Sequence, residues 1–267
     1  MGGGYWLYAF SAFDRGQILD LVYPTLSLAL SYTAVTVEEF ILEKQRRHRV
    51  TELFGRYVPP EIVDEILTSP EALNLDAARE QELTVLFTDI RNFTTFSEKT
   101  PPRQVVEILN CYLNEMTAAI FAQGGMVDKF TGDGLMALFN APVHQSDHAL
   151  RAVRAALMMQ ENARDLDDTV EEPLRYGIGI HTGRAIVGNI GNQQRLEYTA
   201  IGDTVNLAAR LEERAASGQI LISQTTYEQV RHLVSARKIG PLQVKGRQAP
   251  VVVYQVLGLT ADGEELQ

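Results

Sequence analysis

A turn signal between two strand-like runs constrains the fold most. The runs Met126 to Phe130 and Leu135 to Phe139 flank Thr131-Gly132-Asp133-Gly134, which predicts an antiparallel β-hairpin. Another apolar run, Leu83 to Thr88, leads into Asp89. Both aspartates are therefore expected where a strand ends beside a turn. Carboxylates in such places are well suited to hold hard divalent cations, which prefer oxygen ligands.

Helical patterns alternate with these strands. After Pro101-Pro102, apolar residues recur every three or four positions until Gly124-Gly125. Ser146 is expected to cap a second helix, and a third is expected over Thr204 to Arg214. Further strands are predicted at Tyr176–His181, Ala185–Ile190, Tyr198–Ile201, Ile220–Ser223 and Val251–Val256. This order predicts an α+β fold with a ferredoxin-like βαββαβ core, whose antiparallel sheet carries helices on one face.

Composition and charge limit the partners. The 267 residues, 45% of them hydrophobic and 22% charged, fit one globular domain with room for an extra segment. A net charge of −10 argues against a nucleic-acid partner, because such proteins need a basic face to neutralise phosphates. The lone Cys111 excludes an internal disulfide and a cysteine-rich zinc site.

The amino-terminal region contains a stretch that could span a membrane. Ile18 to Val37 is mostly apolar, with only Asp20 charged, and about 20 apolar residues suffice to cross a bilayer. A basic cluster follows at Lys44, Arg46, Arg47 and Arg49, which predicts a membrane span with everything downstream in the cytoplasm. The alternative is an amphipathic or buried helix of a soluble protein.

The third helix carries two polar residues on one face. Asn206 and Arg210 are four positions apart, whereas Leu207 and Leu211 are expected to face the core. The Asn and Arg pair suits recognition of a sugar or phosphate, although a solvated helix face would have the same pattern. Lys129, in an otherwise apolar strand, needs a partner or a route to solvent.

Three segments together resemble the class III nucleotide cyclase catalytic domain: Phe87 to Ile90, Asp128 to Asp133, and Thr199 to Arg210. The resemblance covers about residues 80–257, and Lys129 with Thr199 is similar to a bacterial adenylate cyclase subtype. The preceding residues look like the end of a membrane receptor cyclase with a CHASE2-type sensor. The expected organisation is a membrane-segment remnant (1–17), a transmembrane and juxtamembrane helix (18–49), connecting helices and a linker (50–79), the catalytic domain (80–257) and a polar tail (258–267).

The resemblance implies a role for each matching residue. Asp89, Asp133 and the carbonyl of Ile90 would hold two Mg²⁺ or Mn²⁺ ions for attack of the ribose 3′-hydroxyl of ATP on its α-phosphate. Asn206 would orient the ribose, and Arg210 would stabilise charge on the α-phosphate. Adenine would be read by Lys129 and Thr199, and the triphosphate would contact Arg195 and Lys245, with Arg247 as the alternative to Lys245.

The resemblance also implies an assembly and a location. The metal aspartates and the base-reading pair of one site would come from different subunits, so a head-to-tail homodimer is expected, with the catalytic domain in the cytoplasm at the cell membrane. Two other functions stay open. One is a guanylate cyclase, which Lys129 disfavours. The other is a catalytically silent nucleotide-binding regulatory domain.

Overall fold

The computed structural model describes two compact units of the chain. The described residues are 4, 8, 11, 14, 22–54, 78–166, 173–192, 196–243 and 250–261, and the units divide after Leu53. Helix α1 (Val22–Phe54) lies in the first unit except for its last residue. Every side chain from residue 26 to residue 42 is exposed, including the large apolar Leu30, Tyr32 and Phe40. This helix therefore presents apolar surface between residues 26 and 42.

Within its described residues, the second unit is built on one sheet of eight strands. These are β1 (Arg79–Arg91), β2 (Met126–Phe130), β3 (Gly134–Phe139), β4 (Arg175–Gly191), β5 (Leu196–Ile201), β6 (Ile220–Ser223), β7 (Val234–Leu242) and β8 (Val251–Leu259). Their order is β2-β3-β1-β4-β6-β8-β7, and β5 pairs with β4. The helices are α2 (Phe93–Lys99), α3 (Pro102–Ala122), α4 (His148–Asp165), α5 (Asp203–Arg214) and α6 (Gln224–Val230).

Strand β1 lies inside the sheet, next to the central strand β4, and pairs antiparallel with β3 and β4. Its even-numbered core residues Leu86 and Ile90 join the larger hydrophobic cluster. On that face of the sheet lie α3 and α4, which contribute Met116 and Val153 among others. The regular alternation of a strand thus directs every second side chain of β1 toward these two helices.

Helix α5 packs on the opposite face of the sheet. On β4, Ile178 and Ile180 belong to the α3–α4 cluster, so Gly179 between them faces the other way. A Cβ atom on Gly179 would overlap the backbone of α5, so the missing side chain allows the close approach. Leu207 and Leu211 complete a second, smaller cluster there. Helices therefore cover both faces, whereas the sequence predicted helices on one.

The α+β class, the ferredoxin-like order and the hairpin are confirmed, with local differences. The two strands predicted on either side of Thr182 are one continuous strand, β4. Strand β1 pairs with β4 without interruption from Arg175 to Val187. Helix α4 begins at His148 with Asp147 as its N-cap, not at Ser146. Strand β1 runs two residues beyond Asp89. Strands β4 and β6 pair in parallel, and α2, α6 and β7 were not predicted.

A test for membrane-spanning helices, limited to the described residues, selects only Pro102–Ala122. That helix is α3, and its inner face, including Tyr112 and Met116, is fully buried in the core of the second unit. The helix that meets the length and composition expected of a membrane span is therefore a core helix of the second unit. The span expected at Ile18 to Val37 begins outside the described residues and stays a prediction.

Candidate active site

Asp89 and Asp133 lie side by side at one end of the β1–β3 strand pair. The register aligns Asp89 with Gly134, so the turn that carries Asp133 is adjacent to Asp89. A Cβ atom on Gly134 would overlap the carbonyl oxygen of Thr88, so only glycine permits this pairing distance. The sequence predicted both acids near strand ends, and the structure brings them together.

Burial and neighbouring negative charge act on Asp89. The pKa of Asp89 is raised to about 6, first by burial and then by the neighbouring charges of Asp133 and Glu212. A hydrogen bond with Asp133 also raises this pKa, whereas the charge of Arg91 lowers it. Acidic groups held this close disfavour ionisation, and bound cations would relieve the repulsion that Arg91 only partly offsets.

Arg91 links this acid pair to helix α5. Its Nη1 donates to Asp89 Oδ2 at 3.0 Å, its Nη2 donates to Glu212 Oε1 at 2.6 Å, and its Nε donates to the carbonyl oxygen of Ala215 at 2.9 Å. Sequence reasoning assigned no role to Arg91 or Glu212. The available signal for Arg91 was its position two residues after Asp89, which places both on one face of β1.

The donor set fits magnesium or manganese. Ile90 is 1% exposed with its side chain in the core, so only its backbone carbonyl is suited to a metal. Where the chain is described, no cluster of three or more His, Cys, Asp or Glu side chains forms a metal cage. Mg²⁺ needs no such cage, because it binds through one or two carboxylates with substrate phosphates and water. Asp89 and Asp133 supply that pair.

A second polar group forms around Asp128, between β2 and β5. Thr199 Oγ1 donates to Asp128 Oδ2 at 2.6 Å, and Lys129 Nζ lies 3.4 Å from Asp128 Oδ1. The Asp128 side chain is only 1% exposed, whereas that of Lys129 is 43% exposed. The structure thus brings together Lys129 and Thr199, as expected, and adds Asp128, to which sequence reasoning gave no role.

A β-bulge explains why Asp128 points inward. Val127 pairs with Ala137 but Lys129 pairs with Met136, so Asp128 is the extra residue of β2. As a result, consecutive residues Val127 and Asp128 are both buried. Burial raises the pKa of Asp128, and this is opposed by Thr199, by Lys129 and by a backbone hydrogen bond from Ala200. A buried carboxylate with these donors is fully satisfied.

Helix α5 places its polar pair as the spacing predicted. Leu207 and Leu211 are buried, Asn206 is exposed, and the Arg210 side chain is 40% exposed. Arg210 Nη1 donates to both carboxylate oxygens of Glu213, at 2.7 and 2.8 Å. For the residues described, no hydrogen bond or ion pair joins the Asp128 group to the Asp89 group. Arg195, Lys245 and Arg247 lie outside the described residues.

Comparison with known proteins identifies the family. Residues 75–258 match the profile of the adenylate and guanylate cyclase catalytic domain. The chain belongs to this family. It is 37% identical over 212 residues to adenylate cyclase 1 of Rhizobium meliloti (strain 1021), an alignment that covers 77% of this chain and 32% of the relative. The chain thus spans about a third of that relative's length.

Two solved structures share the fold and differ in their named product class. The adenylyl cyclase CyaB from P. aeruginosa superposes with a TM-score of 0.67 at 38% identity, covering 70% of this chain and 98% of that one. The guanylyl cyclase Cya2 superposes with a TM-score of 0.64 at 40% identity, covering 69% and 95%. Similarity alone therefore leaves the choice of purine to the residues of the site.

Proposed function

We propose that this chain is an adenylate cyclase that converts ATP into 3′,5′-cyclic AMP and pyrophosphate in intracellular signalling. The observation that carries the proposal is the adjacent pair of Asp89 and Asp133, whose carboxyl groups share the end of the β1–β3 strand pair in a cyclase-family domain. The adenylate cyclase names of similar proteins support the same reaction. Phosphoryl chemistry at such a pair depends mainly on positioning and on electrostatics.

Each side chain has a part in this reaction. Asp89, Asp133 and the carbonyl of Ile90 would hold divalent cations, which would supply activation of the 3′-hydroxyl and neutralisation of the triphosphate. Asn206 orients the ribose. Arg210 exchanges its contact with Glu213 for the α-phosphate, where a planar guanidinium stabilises charge that develops on the oxygens. Arg195 and Lys245 bind the remaining phosphates, with Arg247 as the alternative to Lys245.

Lys129 is the main reason to assign adenine. An ammonium group only donates hydrogen bonds, so it pairs with N1 of adenine and opposes the N1–H of guanine. Thr199 is 5% exposed and lies against the same group, where its oxygen can accept from the 6-amino group. A guanylate cyclase is the second candidate, supported by the likeness to Cya2.

Turnover of the purified full chain tests the proposal directly. With Mn²⁺ and ATP it should release cyclic AMP and pyrophosphate, and with GTP in place of ATP the rate should be much lower. Asp89→Ala should abolish release, whereas Asp165→Asn, an exposed position at the end of α4, should retain it. ATP binding without pyrophosphate release would favour a silent regulatory domain.

The proposed assembly is a head-to-tail homodimer with two sites, each taking its acid pair from one chain and its base-reading pair from the other. Among the described residues, no hydrogen bond or ion pair joins these two polar groups within one chain, which is compatible with their serving different sites. Asp89→Ala and Lys129→Ala chains should each be inactive alone and should recover one intact site when mixed. Mixtures that never regain activity would overturn the shared site.

A membrane location for the whole protein is also proposed, with the catalytic domain in the cytoplasm. The exposed apolar residues of α1 and the basic cluster after them support insertion or surface attachment. Expressed full chain should remain in the membrane pellet after an alkaline carbonate wash. Complete release by that wash would contradict a span.

A further inference from the structure

We propose that Asp128 is a positioning residue that sets purine selectivity by holding the hydrogen of the Thr199 hydroxyl. The inference deepens the proposed function and rests on its assignment of Thr199 to the base. A threonine hydroxyl has one hydrogen to donate and lone pairs that accept, so by itself it suits either a 6-amino or a 6-oxo purine. What fixes its orientation therefore fixes its selectivity.

The contacts of Asp128 determine that orientation. Thr199 Oγ1 lies 2.6 Å from Asp128 Oδ2, a short distance typical of a hydroxyl that donates to a carboxylate. An ionised carboxylate only accepts. Burial raises the pKa of this carboxyl, whereas Thr199, Lys129 and the backbone of Ala200 oppose that rise as donors to its ionised form. The hydroxyl hydrogen of Thr199 is thus donated to Asp128 and is not offered to a bound base.

Thr199 then offers only an acceptor to a bound base. Adenine presents a 6-amino donor, which matches, whereas guanine and hypoxanthine present a 6-oxo acceptor, which does not. Because Asp128 is nine-tenths buried or more, the contact is shielded from water, and an unmatched polar pair there is costly. Asp128 also lies 3.4 Å from the Lys129 ammonium, so one carboxylate steers both residues of the base-reading pair.

Asp128→Asn is the decisive variant, because it keeps the shape and changes the hydrogen-bond pattern. Lys129 only donates, so it favours the amide oxygen on its own side, and the amide NH₂ group then faces Thr199. Thr199 must accept from that NH₂ group, which releases its hydrogen toward the base. The variant should favour a 6-oxo purine more than the parent chain does.

The test compares ATP with inosine triphosphate, which differs only at positions 6 and 1 of the base. In full-length chain with Mn²⁺, Asp128→Asn should lower kcat/KM for ATP and raise it for inosine triphosphate. The ratio should fall roughly tenfold or more, the usual scale for one mismatched buried hydrogen bond. The ratio of the two dissociation constants, measured by calorimetry, should shift in the same direction.

A merely structural role for Asp128 would give a different result. Loss of packing would lower kcat/KM for ATP and for inosine triphosphate by the same factor and leave their ratio unchanged. That outcome would overturn the inference. Thr199→Val provides the matched control: in that background Asp128→Asn should no longer alter the ratio, as a double-mutant cycle requires. An undiminished shift in the Thr199→Val background would also refute the route through Thr199.

A nucleotide-binding measurement on the unmutated chain tests the same contact without depending on whether a variant folds. Purine riboside triphosphate keeps N1 but has no group at position 6, so it should bind roughly tenfold more weakly than ATP if the Thr199 oxygen accepts from the amino group. Equal affinity would contradict the inference. Absence of any cyclic product from ATP would contradict the proposed reaction instead, and the binding ratios would still decide the role of Asp128.

Discussion

Asp89→Asn should stabilise the metal-free protein. The close approach of Asp89 and Asp133 favours cation binding but lowers the free energy of unfolding when no cation is bound. The pKa of Asp89 is raised from 3.8 to about 6, by burial first and then by Asp133 and Glu212. A carboxyl whose pKa is raised by folding binds a proton more tightly in the native state. Its stabilising effect is complete below about pH 4 and is lost as pH rises through about 6. At pH 8 the ionised side chain is therefore destabilising.

The size of the effect follows from the shift. A change of about two pKa units corresponds to about 3 kcal/mol as an upper bound. The Asp89 side chain is 30% exposed, so solvent screening reduces this to about 1–2 kcal/mol. For a domain of this size, that corresponds to a rise in Tm of roughly 3–6 °C.

Thermal unfolding of the full chain in EDTA, from pH 4 to pH 8, measures this effect. The parent chain should lose stability between pH 4 and pH 6, and Asp89→Asn should lose less, so that the variant is the more stable at pH 8. Adding Mn²⁺ at pH 8 should raise the Tm of the parent, since a ligand that binds the native state stabilises it. The variant should show little response to Mn²⁺.

The outcome that would refute this reasoning is a variant no more stable than its parent at pH 8 in EDTA. Asp165→Asn supplies the control, because this exposed aspartate at the end of α4 also loses one negative charge. If both variants gained stability equally, net charge would be the cause. A gain confined to Asp89→Asn would locate the strain in the acid pair.

Two further changes probe the supports of the site. Gly179→Ala should lower the free energy of unfolding by about 1–3 kcal/mol, because its methyl group would overlap the α5 backbone. Gly258→Ala should leave stability unchanged, since a Cβ atom there would meet nothing within 4 Å. Equal melting temperatures for the two variants would contradict the close packing of α5 on β4. Arg91→Met should weaken Mn²⁺ binding roughly tenfold. Since Arg91 lowers the pKa of Asp89, the loss in a calorimetric titration should be larger at pH 6.5 than at pH 8. An unchanged pH profile would exclude that role.

The sequence predicted the elements whose ends carry strong local signals. Strands β2 and β6 have the predicted bounds, because turn residues delimit each apolar run. Strand β7 was missed, since its exposed Arg237 and Lys238 and its Pro241 lack apolar alternation. Its identity as a strand depends on pairing with β8, which no local pattern encodes. A sheet edge can tolerate proline and charge, so composition is a poor guide there.

The residues of the site likewise fall into those that a local sequence signal marks and those that long-range contacts position. Asp89 and Asp133 could be paired from sequence because each adjoins a recognisable strand or turn. Glu212 reaches Arg91 only because α5 crosses the face of the sheet opposite α3 and α4, a contact between residues 121 positions apart. Asp128 was visible beside Lys129, yet simple alternation places one of two neighbours outward. Only the bulge makes Asp128 face inward, and a bulge leaves no clear mark in a single sequence.

The β2–β3 hairpin ties the two halves of the proposed dimeric site together. Its turn carries Asp133, and its first strand carries Asp128 and Lys129, four to five residues away. In a head-to-tail dimer, each hairpin would serve the acid pair of one site and the base-reading pair of the other. A displacement of one hairpin would then disturb both sites at once. Regulation that moved this hairpin would change metal binding and purine selectivity together. A movement of α5 would act through Asn206 and Arg210, and on Asp89 through the contact of Glu212 with Arg91.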